Sequence, residues 1–300
     1  MKKKLTITIL TSIGISLMSL FALIPISGIG KSNLTNWMSN ISDSYQIREM
    51  SIPGTHDSGA THALVDLAGK CQDLSIREQL DIGVRFFDIR LQLKNDKFVI
   101  CHDFLDQKLD FESVLKTFDN FLNENNKEFL LVSLKKDYDT LNSTKDFDVL
   151  LKDYLKTYTN KVSLSTTIPL TLGEARGKIY VIDRYGIDIG VPAYYWSDNQ
   201  TFSTNDLYVQ DYYCIDRVED KINSINSAID YSKSNNDKLT LNFASCYIDN
   251  DFPPSYAGKA AKEINEYYKI KFKEDASRLG VMLFDFISSD LTSLMIGGNK

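Results

Sequence analysis

Histidine is scarce in this chain: three residues in 300, His56, His62 and His102. So few imidazoles exclude a histidine-rich metal tract and make each one individually informative. Cysteine is hardly commoner. Cys71, Cys101, Cys214 and Cys246 include no C-x-x-C pair, which leaves a structural zinc site without support. Four cysteines over this length do not define a disulfide scaffold either, and their pairing stays open. No G-x-G-x-x-G follows the first strand pattern, which argues against a dinucleotide-binding fold. The 34 Lys and Arg residues are scattered against 40 Asp and Glu, for a net charge of -6. No basic stripe exists to follow a phosphate backbone, so nucleic acid is not an expected partner.

The N-terminus has the layout of a signal peptide: lysines at positions 2 to 4, an apolar run from Leu5 to Ile26, then small residues. An uncleaved anchor helix is the alternative, because the run approaches the roughly 20 residues a membrane span needs. Pro25 and Gly28 interrupt it and no basic stop-transfer cluster follows, which favours cleavage between Ser27 and Gly30. Residues 1–30 are thus expected to be removed and residues 31–300 to be secreted as a single domain. About 270 residues suit one barrel-type domain with a large core.

Short β-rich apolar runs recur along the mature chain, at 48–54, 84–93, 97–103, 129–136, 178–185, 207–213, 238–245 and 281–288. Helical patterns lie between many of them, at 75–83, 111–125, 146–158, 218–234 and 257–280. Alternation of this kind indicates an α/β protein with a parallel sheet, and its length favours a TIM-type (β/α) barrel over an open doubly wound sheet. Polar residues repeatedly close the strands: His56 and Asp57, Asp88 and Arg90, His102 and Asp103, Lys135, Asp183 and Arg184, Asp211 and Asp285. In a barrel the C-terminal strand ends share one face, so these side chains are expected to converge on an active site. The period of two puts Asp88 and Arg90 on one face of their strand, with Phe87, Ile89 and Leu91 on the other. Blander roles compete. Asp88 and Arg90 alone can be a buried structural ion pair. Asp103 and Asp183 can be loop-capping carboxylates, and His62 reads as a surface or packing residue.

The stretch SIPGTHDSG at 51–59, RFFDIR at 85–90 and the strand-terminal His102 resemble the bacterial phosphatidylinositol-specific phospholipases C. Later segments match in order: SLK at Lys135, DRY at Arg184, QDYY at Asp211 and Tyr213, and LFD at Asp285. The resemblance implies a distorted or incomplete TIM barrel that cleaves phosphatidylinositol to diacylglycerol and inositol 1,2-cyclic phosphate. It assigns His56, paired with Asp285, as general base and His102, paired with Asp57, as general acid. Arg90, held by Asp88, would sit on the phosphate. Lys135, Arg184 and Asp211 would bond inositol hydroxyls, with Tyr213 packed on the ring. Lys136 replaces Lys135 if the register slips by one.

The chemistry fits these residues independently. The substrate's own 2-hydroxyl is the nucleophile, so two imidazoles suffice to move the protons. A guanidinium at Arg90 takes the place of a cation, so no metal or other cofactor is expected. The expected partners are phosphatidylinositol in a membrane surface and glycosylphosphatidylinositol-anchored proteins, met by a monomer. Tyr194, Tyr195 and Trp196, Phe252 and Tyr256, and the segment 63–69 are candidate lipid contacts, with packing against the barrel as the alternative. Two further readings remain. A metal-dependent glycerophosphodiesterase would carry a carboxylate cluster where Arg90 stands, and a catalytically silent inositol-binding module would need only the ring contacts.

Overall fold

Apolar alternation along the strands sets the architecture. The computed structural model describes residues 34–63, 69–249 and 257–299, and the leader, most of 63–69, Phe252 and Tyr256 lie outside them. The elements in order are β1 (Ser51–Thr55), α1 (Ile76–Asp81), β2 (Phe86–Lys94), β3 (Lys97–His102), β4 (Leu105–Asp110), α2 (Phe111–Glu124), β5 (Leu130–Lys136) and α3 (Phe147–Lys156). They continue with β6 (Val162–Ser163), α4 (Leu172–Ala175), β7 (Ile179–Asp183), β8 (Val191–Pro192), β9 (Thr201–Ser203), β10 (Leu207–Gln210), β11 (Cys214–Ile215) and α5 (Val218–Ser234). The last are β12 (Leu239–Phe243), β13 (Tyr247–Ile248), α6 (Ala257–Glu274), β14 (Gly280–Phe284) and α7 (Ser289–Gly297).

Strands β7, β5, β2, β1, β14, β12 and β10 pair in parallel in that order, flanked by β6 and by antiparallel β9. Among the described residues no pairing joins the two ends of this path, so the curled sheet is the distorted, incomplete TIM-type barrel expected. Helix starts follow local chemistry. Ser75 and Glu78 form a capping box on α1, and Asp110 accepts the Ser113 N–H at the start of α2. No described helix is long and apolar enough to cross a membrane.

The run at 97–103 differs from expectation. It does not contribute a parallel barrel strand: β3 turns back antiparallel on β2 and continues into β4 as a hairpin excursion. The cause is the two-residue turn Asn95–Asp96, both at positive φ, as such a hairpin requires. His102 therefore reaches the face at the C-terminal strand ends from a hairpin tip.

Parity decides what faces the barrel interior. Ile52, Phe86, Leu131, Ile182, Leu241 and Leu283 form an inner apolar layer, while Phe87, Ile89, Val132, Val181, Met282 and Phe284 pack outward under the helices. Two residues further along four of these strands the inner positions become Asp88, Ser133, Arg184 and Asp285, polar or charged, while β1 has Gly54 and β12 has Phe243. Gly54 belongs to the inner set, and a Cβ there would lie 3.0 Å from Phe86 Cβ and 3.2 Å from Val281 Cγ1. Glycine lets β1 approach its neighbours closely.

The opposite end is closed by Trp37, Met38 and Ile47 beneath a buried ion pair, Arg85 Nε to Glu128 Oε2 at 2.8 Å. Arg85 also donates to the Leu80, Val84 and Thr35 carbonyls, and Glu128 accepts the Met38 N–H. Glu128→Ala strands a buried guanidinium. It is expected to lower stability by about 3–5 kcal/mol in urea unfolding, far from the active face.

Candidate active site

The local sequence T-H-D-S clamps the first turn. Thr55 Oγ1 lies 2.7 Å from Ser58 Oγ and donates to Gln79 Oε1, while Ser58 Oγ accepts the Asp88 N–H at 2.8 Å. The Ser58 N–H donates to the Asp88 carbonyl, tying the turn to β2. Asp57 adopts φ +39° within it. That left-handed residue breaks the strand's alternation, so consecutive His56 and Asp57 both face the charged cluster.

His56 Nδ1 lies 2.8 Å from Asp285 Oδ1 at the end of β14, and Arg90 Nη2 lies 2.7 Å from His56 Nε2. A guanidinium can only donate, so Nε2 is the acceptor and the ring proton sits on Nδ1, donated to Asp285. This is the tautomer a general base needs. Burial pulls the His56 pKa down, the Asp285 charge and hydrogen bond push it up against the opposing Arg90, and the net direction is upward.

Arg90 stands at the centre. Its Nε lies 3.3 Å from Asp88 Oδ2, and Nη1 lies 3.5 Å from Asp57 Oδ2 and 3.7 Å from Asp137 Oδ1. These carboxylates surround a cation that the chain itself supplies. Asp88, buried, also meets Arg184 Nη1 at 3.2 Å and Ser133 Oγ at 3.3 Å. Burial works to raise its pKa, yet Arg90, Arg184, His56 and Lys135 hold it far below the usual carboxylate range. Asp57 behaves differently: burial outweighs Arg90, His102 and His56 and pushes it up to about 6. His102 Nε2 lies 3.9 Å from Asp57 Oδ2, an ion-pair distance rather than a hydrogen bond.

Lys135 points inward with Ser133, and its Nζ donates to Asp137. Lys136 points outward over the Phe147 and Tyr185 rings at 5.2 and 5.6 Å, so the register places Lys135 in the site. Asp137 is the residue that strand patterns missed. Buried against Arg90 and Lys135, its pKa is lowered despite burial, and its signal was the inward parity of Ser133-Lys135-Asp137 in SLKKD.

Trp196 is a second addition. Of the two readings for Trp196, packing rather than lipid contact holds: its ring centroid lies 3.6 Å from the Arg184 guanidinium carbon, and its Nε1 donates to Asp211 Oδ2 at 2.8 Å. Packing on Phe202 and Phe243 makes it an inner wall. Tyr194 and Tyr195 do face outward, Tyr195 being 83% exposed, and Phe104 beside His102 is 66% exposed. Tyr213 donates to Asp198, which pushes its phenol pKa up, and lies against Tyr247. His62 stays outside the cluster, bonding Thr61 and Gln107, and Asp183 caps the Tyr185, Gly186 and Ile187 N–H groups as a loop carboxylate. All four cysteines are free. Trp196→Ala is expected to raise KM for an inositol phosphodiester about tenfold with a smaller fall in kcat, measured by steady-state kinetics, since Arg184 and Asp211 lose their support.

Residues 50–185 match the family model of the phosphatidylinositol-specific phospholipase C X domain. A 1-phosphatidylinositol phosphodiesterase of Staphylococcus aureus (strain Newman) is 30% identical over 299 residues, an alignment covering 88% of this chain and 94% of that protein. The chain belongs to the bacterial phosphatidylinositol-specific phospholipase C family of enzymes. A 1-phosphatidylinositol phosphodiesterase of Listeria monocytogenes is 29% identical, over 88% of this chain and 84% of its own length. The solved structure of the F249X mutant of the Staphylococcus aureus phosphatidylinositol-specific phospholipase C superposes with a TM-score of 0.81 at 28% identity, covering 90% of this chain and 99% of that one.

Proposed function

We propose that this protein is a secreted, metal-independent enzyme that cleaves phosphatidylinositol to diacylglycerol and inositol 1,2-cyclic phosphate. The observation that carries this is the relay Asp285–His56–Arg90, at 2.8 and 2.7 Å, beside the Asp57–His102 pair. The inositol 2-hydroxyl attacks phosphorus while His56 Nε2 takes its proton. The bond from phosphorus to the glycerol oxygen breaks, and His102 gives that oxygen a proton. Arg90 bonds the non-bridging oxygens as their charge grows, and Asp88 keeps the guanidinium in plane with them. Lys135, Arg184 and Asp211 offer the ring hydroxyls donors and an acceptor, with Trp196 and Tyr213 as walls.

Arg90 amid Asp57, Asp88 and Asp137 disfavours the metal-dependent glycerophosphodiesterase, because a guanidinium stands where a hard, oxygen-ligated cation would sit against the phosphate. Two histidines, one hydrogen-bonded to Asp285 and one at ion-pair distance from Asp57, disfavour a silent binding module, which needs neither. Phe104, Tyr194 and Tyr195 supply lipid contact at the rim, and anchors carrying the same inositol phosphodiester are within the substrate class. Phosphorus NMR of products from phosphatidylinositol vesicles in EDTA tests the reading. A cyclic phosphodiester signal forming at the same rate with and without chelator is expected. Its absence removes the proposed nucleophile, and loss in EDTA restored by calcium removes metal independence.

A further inference from the structure

Cys71 takes part in no step above, yet it lies between the two histidine pairs. Its sulfur is within 4.8 Å of a His102 nitrogen and an Asp57 oxygen, and equally within 4.8 Å of a His56 nitrogen and an Asp285 oxygen. Its backbone is pinned: the N–H donates to the Ala60 carbonyl and the carbonyl accepts the Phe286 N–H. The thiol is thus held in place, buried, and surrounded by donor atoms of two different elements.

The two groups differ in what their atoms already do. His56 and Asp285 are bonded to each other, and His56 Nε2 accepts from Arg90. Asp57, wholly buried, has no hydrogen-bond donor on either carboxylate oxygen, and buried His102 Nδ1 has no partner. The Asp57 contacts are ionic ones, at 3.5 Å from Arg90 and 3.9 Å from His102. A buried carboxylate with free lone pairs facing a thiol and an imidazole is a donor set of the kind soft divalent ions take, one sulfur, one nitrogen and one oxygen.

We propose that Cys71, Asp57 and His102 form a binding site for a thiophilic divalent cation, zinc being the probe, and that such an ion inhibits the enzyme. The inhibitory half rests on the function proposed above. On binding, the S–H bond breaks, the proton goes to solvent and a metal–sulfur bond forms, with no change of oxidation state. Asp57 and His102 fill two further positions and water the fourth. Tetrahedral ligands stand about 3.5 Å apart, so side-chain movements of about 1 Å close the set. The ion removes the His102 lone pair that must carry the leaving-group proton. Calcium and magnesium, which avoid sulfur, do not bind there.

The test uses the mature chain in buffer free of chelators. Equilibrium dialysis should find one zinc per chain, and cobalt should give a sulfur-to-metal charge-transfer absorption. Cys71→Ser and Cys71→Ala should weaken zinc more than about 100-fold, beyond what loss of an outer-shell partner costs. Both should lose the cobalt band and cleave phosphatidylinositol at the parent rate, now insensitive to zinc. Zinc binding unchanged in both variants, or no cobalt–sulfur band in the parent, overturns the site. Zinc bound through Cys71 with cleavage undiminished overturns the inhibition. A parent chain that binds zinc but never cleaves phosphatidylinositol refutes the phospholipase reading and the inhibition with it, and leaves the site.

Discussion

His56→Ala is expected to lower the rate of inositol cyclic phosphate formation by about 10² to 10⁴-fold, the range a positioned general base supplies. The ring is held from both sides, by Asp285 on Nδ1 and Arg90 on Nε2, so no neighbouring group can take its place. Circular dichroism should change little, while the unfolding midpoint should fall, because the buried Asp285 carboxylate loses its hydrogen-bond partner. The base also sets the acid side of the pH profile. His56 works only when unprotonated, and its pKa lies above the ordinary 6.5, so kcat/KM should fall as pH drops through a value above 6.5. Asp285→Asn removes the charge that raises it, and the acid limb should move to lower pH together with a slower maximum. A fully active His56→Ala protein, or an Asp285→Asn profile shifted upward, would falsify the assignment.

Arg90→Lys, although it conserves charge, should cost about 10² to 10³-fold in kcat, comparable with losing one oxyanion donor. Lysine lacks the planar fork with which Arg90 reaches the Asp88 carboxylate through Nε and presents parallel Nη donors to the phosphate oxygens. Retaining a cation keeps Asp57, Asp88 and Asp137 from being left together uncompensated, so the variant should fold, as thermal unfolding would verify. A substrate with one non-bridging oxygen replaced by sulfur offers a second readout. The two diastereomers should differ strongly in rate with the parent enzyme and much less with the Arg90→Lys variant. Equal discrimination in both proteins would place the guanidinium elsewhere.

The barrel was legible because its inner and outer faces alternate cleanly: Asp88 and Arg90 follow Phe86, and Asp285 follows Leu283, on a period of two that the sequence displays. What parity cannot reveal is a change of direction. The 97–103 run has the apolar character of a barrel strand, and only the left-handed pair Asn95–Asp96 betrays that it folds back. Helix α5 matched its pattern at both ends, whereas 257–280 ran on past Glu274, where the chain leaves the helix and re-enters as β14. Trp196 escaped because an aromatic in a long loop has no periodicity to place it. Its partners Arg184 and Asp211 come from two other strands. Asp183 and Arg184 are adjacent in sequence and divide their labour by facing, one capping a loop and one entering the site.

In the proposed mechanism, the hydrogen bond from Arg90 to His56 Nε2 means that the enzyme wears a cover over its own base. The lone pair that must accept the 2-hydroxyl proton is already occupied, and the guanidinium beside it also weakens the imidazole's hold on a proton. A phosphodiester draws Arg90 toward its oxygens and uncovers that lone pair, strengthening the base as it does so. Neutral inositol has no charge with which to do this. The anion that is to be cleaved therefore serves as the key to the group that cleaves it.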